Sequence, residues 1–390
     1  MKSTAFVGSK VVTVIEVTQE EIMKNWGVDN ADNPLVSVRC ITYNHEPYIA
    51  QALDGFLMQK TNFPFEVIVH DDASTDKTAD VIREYEKKYP KIIKPIYQTE
   101  NQYSKRDGSI GRILDVACKG KYIAFCDGDD YWIDENKLQM QVDFLENNPD
   151  YGMCYTKAIM YEQNNKKYQG IWGMKSSENI NELIYVVGIP TLTVVFSSKI
   201  RKKYLEEIVP SDKGWLLGDY PMWLFFSGKS KIKFLDKITS VYRVLPESAS
   251  HSTNYLKYIN YRNSVYAVRH FFIEYFNLDP YFNEKLNEQY IYEIANVYYP
   301  HLKWKHTSVE VIANLLRQQI KKHRSKNIRT RYYFHPRSSF SVFIKFEIYL
   351  RIVEFISALK QLILKPIRYI LKKLGLFDTV KRIVKGKNGD

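Results

Sequence analysis

Polar side chains cluster at three points where an apolar run of the sequence stops. Thr42-Tyr-Asn44 ends the first run, Asp71-Asp-Ala-Ser-Thr-Asp76 follows the second, and Asp127-Gly-Asp-Asp-Tyr-Trp132 follows a later one. If these runs are neighbouring strands of one parallel sheet, the polar groups meet at one edge. Ligands of open α/β sheets bind beyond the carboxyl ends of the strands, so we expect the chemistry at that edge.

The Asp127-x-Asp129 pair favours a divalent cation. Two carboxylates on one side of a tight turn, which Gly128 permits, offer the hard oxygen ligands that Mg²⁺ and Mn²⁺ prefer. The sequence has no Gly-rich phosphate loop, so a metal ion would have to balance the charge of a bound diphosphate. Acid-rich turns also cap helices, and this alternative remains open for Asp76 and Asp134.

Strands and helices are predicted to alternate from Pro34 onward. The predicted strands are Leu35–Ile41, Phe65–His70, Ile92–Tyr97 and Tyr122–Cys126, and the predicted helices between them are Pro47–Gln59, Asp76–Tyr89 and Asp107–Lys119. Later strands are predicted at Tyr151–Tyr161, Thr191–Phe196, Ile232–Leu235 and Ile238–Val244. Apolar strands separated by helices predict an α/β fold that is Rossmann-like, with a mostly parallel sheet and helices on both faces.

The three motifs, in this order and spacing, resemble those of family-2 glycosyltransferases with the GT-A fold. The resemblance runs from about Pro34 to Ser250, somewhat over half of the chain. It implies a bacterial enzyme of surface-polysaccharide biosynthesis that transfers a sugar from a nucleotide-sugar donor with inversion. A divalent metal, Mn²⁺ or Mg²⁺, is the implied cofactor.

The resemblance also implies donor-binding residues. Thr42, Tyr43 and Asn44 fall in the donor-binding segment, where Tyr43 resembles the aromatic residue that lies against a pyrimidine ring. Asp72 resembles the acid that hydrogen-bonds this ring. Asp127 resembles the ribose-side member of the Asp-x-Asp pair.

The resemblance also implies metal ligands and basic residues that contact the donor. Asp129 resembles the direct metal ligand, with Asp127 and Asp130 beside it. Arg106 lies where family members place a basic residue near the diphosphate, and Arg243 lies in a segment that resembles the one closing over the donor. An ordinary surface or structural role is the alternative for both arginines.

Asp219 is the candidate catalytic base. The family carries a Glu-Asp pair near the start of a later helix, and Leu217-Gly-Asp-Tyr-Pro-Met-Trp-Leu224 occupies this place with Gly218 in the position of the Glu. A carboxylate opposite the leaving diphosphate would take the proton of the acceptor hydroxyl. Asp219 would also suit the N-cap of the helix, and the two roles are compatible.

The positive charge of the chain belongs to its C-terminal tail. The net charge is +12, but residues 321–390 hold eighteen Lys and Arg against four Asp and Glu. From Phe340 to Leu376 basic residues interrupt an apolar sequence at helical intervals, as in helices that lie on anionic membranes. A helical bundle packed on the catalytic domain is the alternative, and no recognition module for nucleic acid accompanies the charge.

These features predict four regions: an extension at 1–33, the catalytic domain at 34–250, a helical region at 251–339 and basic amphipathic helices at 340–390. The four cysteines have no metal-site spacing, and no run of about 18 residues is free of charge. We therefore expect a cytoplasmic protein that is peripheral on the inner face of the plasma membrane. The expected donor is a UDP-sugar and the expected acceptor a lipid-linked oligosaccharide. The alternatives are a phosphatase or nucleotidyltransferase, disfavoured by Tyr131, and a catalytically inactive nucleotide-sugar-binding scaffold at the membrane.

Overall fold

The computed structural model describes residues 4–7, 10–13, 17–27, 33–105, 107–175, 178–245, 255–283, 285–286 and 289–290. The chain divides into two compact units, residues 1–277 and 278–390. The strands and helices described below, from residue 4 to residue 275, all belong to the first unit. The predicted tail helices from 340 onward lie outside the described residues.

The described elements follow one another in this order. They are β1 (Thr4–Val7), β2 (Lys10–Thr13), α1 (Gln19–Met23), β3 (Val36–Thr42), α2 (Ile49–Leu57), β4 (Phe65–Asp71), α3 (Thr78–Lys88), β5 (Ile93–Tyr97), α4 (Ser109–Ala117), β6 (Tyr122–Phe125), β7 (Tyr131–Trp132), α5 (Lys137–Asn147), β8 (Tyr151–Glu162), β9 (Lys167–Trp172), α6 (Ile180–Leu183), β10 (Val195–Ser197), α7 (Ser198–Ile208), α8 (Tyr220–Lys229), β11 (Lys231–Val244) and α9 (Tyr255–Tyr275). Within the described ranges, β1 and β2 form a separate hairpin.

The main sheet begins with four parallel strands in the order β5-β4-β3-β6. All seven residues of β4 are buried, as expected for an inner strand covered on both faces. In β3, Val36, Val38 and Cys40 join the larger core cluster, whereas Ile41 packs on the other face, against the cluster of Ile68 and α4. This part of the sheet confirms the predicted α/β class.

The second half of the sheet is mixed rather than mostly parallel. It continues in the order β10-β8-β11-β7; β10 is antiparallel to both its neighbours, β11 is parallel to β8 and antiparallel to β7, and β9 adds to β8. The two strands predicted at 232–235 and 238–244 are one strand, β11, whose pairing with β8 shifts register between Phe234 and Ile238. Thr191 to Thr193 form a 3₁₀ turn before β10 rather than the start of the strand.

The sheet brings the three motifs to one edge. The Asp72 N–H donates to the Thr42 carbonyl over 2.9 Å, and the Gly128 N–H donates to the Ile41 carbonyl over 2.9 Å. The ends of β3, β4 and β6 are therefore joined by main-chain hydrogen bonds just where their polar residues begin. Among the described helices, none is long and apolar enough to cross a membrane.

Candidate active site

The turn Asp127–Asp130 follows β6 directly and is fixed by main-chain contacts. Asp127 Oδ1 accepts the Ile41 N–H over 3.3 Å, and the Asp130 N–H donates to the Asp127 carbonyl over 3.1 Å. Gly128 lies so close to β3 that a Cβ atom there would be 2.7 Å from Thr42 Oγ1. Glycine is thus required for packing at this position.

Negative charge accumulates in and around this turn. Neighbouring protein atoms reduce the solvation of the Asp127 carboxylate and raise its pKa to about 7, although part of the residue still meets solvent, and the charges of Asp129 and, to a smaller extent, Asp219 add to the rise. The Arg39 guanidinium, which extends from β3, opposes it. The candidate base and the Asp-x-Asp pair therefore act on each other electrostatically at one site.

The carboxylate oxygens of the turn fit a divalent cation that also binds the phosphates of a substrate. Asp127 and Asp129 keep contact with solvent, whereas Asp130 is buried. Within the described ranges, no three His, Cys, Asp or Glu side chains gather into a closed metal site. Mg²⁺ typically takes one or two carboxylates and completes its shell with water and substrate phosphates, and two repelling, accessible carboxylates suit that arrangement.

Asp130 and Arg243 bind each other instead of facing the site. Asp130 Oδ1 accepts the Arg243 N–H over 2.8 Å, and burial, followed by the charge of Asp129, raises the pKa of Asp130 well above its usual range. Arg243 is only 3% exposed. The predicted diphosphate contact of Arg243 is therefore not available in this structure, because its side chain is enclosed by protein groups.

Asp72 is also occupied by the protein. Its side-chain oxygens accept the main-chain N–H groups of Gln102 and Tyr103 over 2.7 and 3.0 Å, and the residue is 1% exposed. Asn101 Nδ2 donates to the Asp72 carbonyl over 3.2 Å. In this structure the Asp72 side chain fixes the turn that follows β5, and its contact with the base of a donor stays a prediction.

The segment Thr42–Asn44 divides between packing and surface roles. Thr42 is fully buried under Gly128, and its hydroxyl has no hydrogen-bond partner among the described residues. Asn44 has a positive φ of 55°, which Asn tolerates, and its Oδ1 accepts the Thr75 N–H over 2.8 Å. Tyr43, 43% exposed, presents its side chain to solvent as the donor-binding prediction requires, and Asn44 is exposed as well.

Asp219 is the N-cap residue of α8, which confirms the helix-capping role that the sequence predicted beside the catalytic one. Its Oδ1 accepts the Tyr220 N–H over 2.7 Å, and its Oδ2 accepts the hydroxyl of Thr191. Two donors thus orient a half-buried carboxylate. Space is open around Gly218, where a Cβ atom would meet nothing within 4 Å.

Sequence reasoning missed several neighbours of the site. Arg39 and Thr191 come from segments read only as strands, and no motif marks them. His45 is half-buried near Asp129, and burial lowers the pKa of its imidazole. Arg106 lies outside the described residues, so its predicted donor contact stays a prediction.

Comparison with known proteins identifies the family. Residues 37–208 match the family model described as glycosyl transferase family 2. An uncharacterized protein of Mycobacterium tuberculosis is 43% identical over 134 residues, which are 34% of this chain and 37% of that protein. The glucosyltransferase WfgD of Escherichia coli, named for UDP-Glc and α-D-GlcNAc-diphosphoundecaprenol, is 28% identical over 56% of this chain and 81% of its own length.

Solved structures are more distant. The mannosyltransferase PcManGT from Pyrobaculum calidifontis, in complex with GDP-Man and Mn²⁺, has a TM-score of 0.47 and 16% identity, covering 86% of this chain and 89% of its own. The chain spans little more than a third of the length of the mycobacterial relatives it matches. Residues 37–208 are a family-2 glycosyltransferase domain, which confirms the resemblance carried by the three motifs.

The close packing at Gly128 gives a test of the turn. Gly128→Ala places a methyl group 2.7 Å from Thr42 Oγ1 and 3.0 Å from Ile49 Cδ1, so the turn or β3 must shift. We expect a loss of about 1–3 kcal/mol in the free energy of unfolding, measured by urea denaturation. Gly218→Ala, in open space beside Asp219, is the matched control and should leave stability nearly unchanged. Equal stability of the two variants would contradict the packing described here.

Proposed function

We propose that this protein is an inverting, metal-dependent glycosyltransferase that moves a sugar from a UDP-sugar to a hydroxyl group of a glycan acceptor. One observation carries the proposal: the partly exposed Asp127 and Asp129 lie at the edge where main-chain hydrogen bonds join the ends of β3, β4 and β6. Asp219, which Thr191 and the Tyr220 N–H hold in place, is the further carboxylate whose charge reaches Asp127. A cation-binding pair and a separate oriented carboxylate are the two groups that the reaction needs. The family-2 domain and the name of the relative WfgD support the donor class.

In this proposal the donor diphosphate binds at the Asp127–Asp130 turn. Asp129 would hold the metal ion, and Asp127, in the same turn, would face the ribose of the donor. A bound Mn²⁺ or Mg²⁺ would neutralise the charge that develops on the leaving diphosphate. Tyr43, exposed at the end of β3, provides an aromatic face for the base.

Asp219 takes the proton from the acceptor hydroxyl as this oxygen attacks the anomeric carbon from the side opposite the diphosphate. The hydrogen bonds from Thr191 and the Tyr220 N–H hold its carboxylate in place before the acceptor arrives. A base fixed in this way loses little orientational freedom in the transition state.

The acceptor is proposed to be a lipid-linked oligosaccharide, reached from the cytoplasmic face of the membrane. The support is the basic, apolar sequence from Phe340 onward and the lipid-linked sugar in the name of WfgD. The domain division at residues 34–250, 251–339 and 340–390 is part of the same proposal.

Removal of the metal ligand tests the donor side. Asp129→Ala should lower turnover by at least about 10²-fold and abolish the Mn²⁺-dependent part of UDP binding, because the diphosphate then lacks its counter-charge. Isothermal titration calorimetry with and without Mn²⁺ measures the binding. Asp212→Ala, an exposed acid in the 3₁₀ turn Pro210–Lys213, is the control and should behave like the wild type. Unchanged metal-dependent binding by the Asp129 variant would refute the assignment.

Replacement of the base separates catalysis from binding. Asp219→Asn keeps the size and a hydrogen-bond acceptor but takes up no proton at neutral pH. We expect kcat to fall by about 10² to 10⁴-fold while the Kd for UDP stays within twofold. An equal collapse of UDP affinity would mean that Asp219 is structural. Unchanged turnover would place the base elsewhere, and a wild type that binds donor without any transfer would favour the inactive scaffold.

Charge removal in the full-length chain tests membrane binding. Replacing Lys360, Lys365, Arg368, Lys372 and Lys373 by Gln should weaken co-sedimentation with vesicles that contain phosphatidylglycerol, since each basic residue near the surface contributes about 1 kcal/mol. Added salt should weaken binding of the wild type without abolishing it, because apolar insertion is not screened. Equal sedimentation of both proteins would favour the helical bundle.

A further inference from the structure

Arg243 is a charged side chain enclosed within the protein beside the site. It lies one residue before the end of β11 and is 3% exposed. Burial lowers the pKa of its guanidinium, which the nearby Tyr131 and Asp130 oppose. A buried charge is costly unless hydrogen bonds satisfy it, so the identity of its partners indicates what the residue is for.

The guanidinium of Arg243 joins three separate segments. It donates to the main-chain carbonyl of Asp129, to Gln51 Oε1 on α2, and over 3.3 Å to Gln163 Oε1 after β8. The Cζ atom of Arg243 lies 4.4 Å from the ring centre of Tyr131 and 5.0 Å from that of Tyr48. Each of its three nitrogen atoms therefore has a protein acceptor, and aromatic rings lie against the planar group.

The main chain of Arg243 completes the contact with the turn. Its N–H donates to Asp130 Oδ1 over 2.8 Å. Arg243 thus binds two consecutive residues of the Asp127–Asp130 turn: its side chain binds Asp129 and its main-chain N–H binds Asp130. The bond to the carbonyl of Asp129 restrains the peptide plane next to the Cα atom from which the proposed metal-binding carboxylate projects.

We propose that Arg243 is a positioning residue, which holds the Asp127–Asp130 turn in the conformation that presents Asp129 to a divalent cation. It acts through the main chain of Asp129 and does not bind the diphosphate. This inference rests on the proposed function, and it replaces the donor contact that the sequence predicted for Arg243.

The two roles of Arg243 predict different binding data. A residue that contacts the diphosphate contributes to UDP affinity with or without metal. A residue that positions the metal ligand contributes only when the metal is present. Comparing UDP binding in Mn²⁺ with binding in EDTA therefore separates them, without any measurement of turnover.

The main variant is Arg243→Met in the full-length protein, with UDP as the probe. We expect the Kd in Mn²⁺ to rise by about 10- to 100-fold, the range typical for loss of an outer-shell partner, and the Kd in EDTA to stay within twofold. Arg243→Lys, which can still donate to the Asp129 carbonyl, should recover part of the Mn²⁺ effect. In turnover assays the KM for the UDP-sugar should rise more than kcat falls.

Arg201→Met is the matched control for a general loss of stability. Arg201 is buried like Arg243, forms an ion pair with Asp115 over 2.6 Å and lies over Phe125. Its removal should destabilise the fold, measured by thermal denaturation, without changing the ratio of UDP affinities in Mn²⁺ and EDTA. A change in that ratio for Arg201→Met equal to that for Arg243→Met would show a global effect and overturn the inference.

The remaining outcomes are also decisive. If wild-type protein binds no UDP in Mn²⁺, the proposed function fails and the inference fails with it. If the wild type binds UDP and folded Arg243→Met binds it equally well in Mn²⁺, only the inference is refuted. Equal losses in Mn²⁺ and EDTA would restore the direct diphosphate contact. Should Arg243→Met not fold, Gln51→Met removes one acceptor of the guanidinium and should raise the Kd in Mn²⁺ several-fold, and no rise would refute the inference.

Discussion

Mutual repulsion between carboxylates is the constraint around which this site is arranged. Asp127, Asp129 and Asp130 occupy one turn, and the charge of Asp219 reaches Asp127. Like charges that lie together in one turn are tolerated only when cations or hydrogen-bond donors compensate them. The protein supplies Arg243 on one side and Arg39 on the other, and it leaves Asp127 and Asp129 accessible. A site built in this way favours entry of a cation together with an anionic substrate.

The same constraint explains the division of labour among the acids. Asp72 and Asp130 are buried and accept main-chain N–H groups, so they hold segments of chain together. Asp129 and Asp219 are both half-buried, and Asp219 accepts two hydrogen bonds. The degree of burial thus separates the structural carboxylates of Asp72 and Asp130 from the more exposed ones, although all of them are aspartates with the same intrinsic chemistry.

The sequence was sufficient for the strands of the first half of the sheet and for the positions of the three motifs. Apolar runs located β3 to β6, and the order of motifs predicted that Asp72, Asp127 and Tyr43 end neighbouring strands. It was insufficient where a partner lies far along the chain. Asp72 is bound by a turn 30 residues later, and Asp130 by a strand 113 residues later. Such pairs depend on how segments far apart in the sequence pack together in the sheet. Neither hydrophobic periodicity nor a short motif indicates this. The continuity of β11 was missed for a related reason, since its register shift falls at the apparent break between the two predicted strands.

The 113 residues between Asp130 and Arg243 also have a consequence for synthesis in the cell. Chains grow at roughly 5–20 residues per second, so the turn exists for about 6 to 23 seconds before the strand that restrains it has been made. The segment that matches the family, residues 37–208, ends before both Asp219 and Arg243. During that interval the nascent sheet carries its acids without the hydrogen bonds that Arg243 provides. The proposed positioning of the turn by Arg243 is therefore completed late in translation, when β11 pairs with β8.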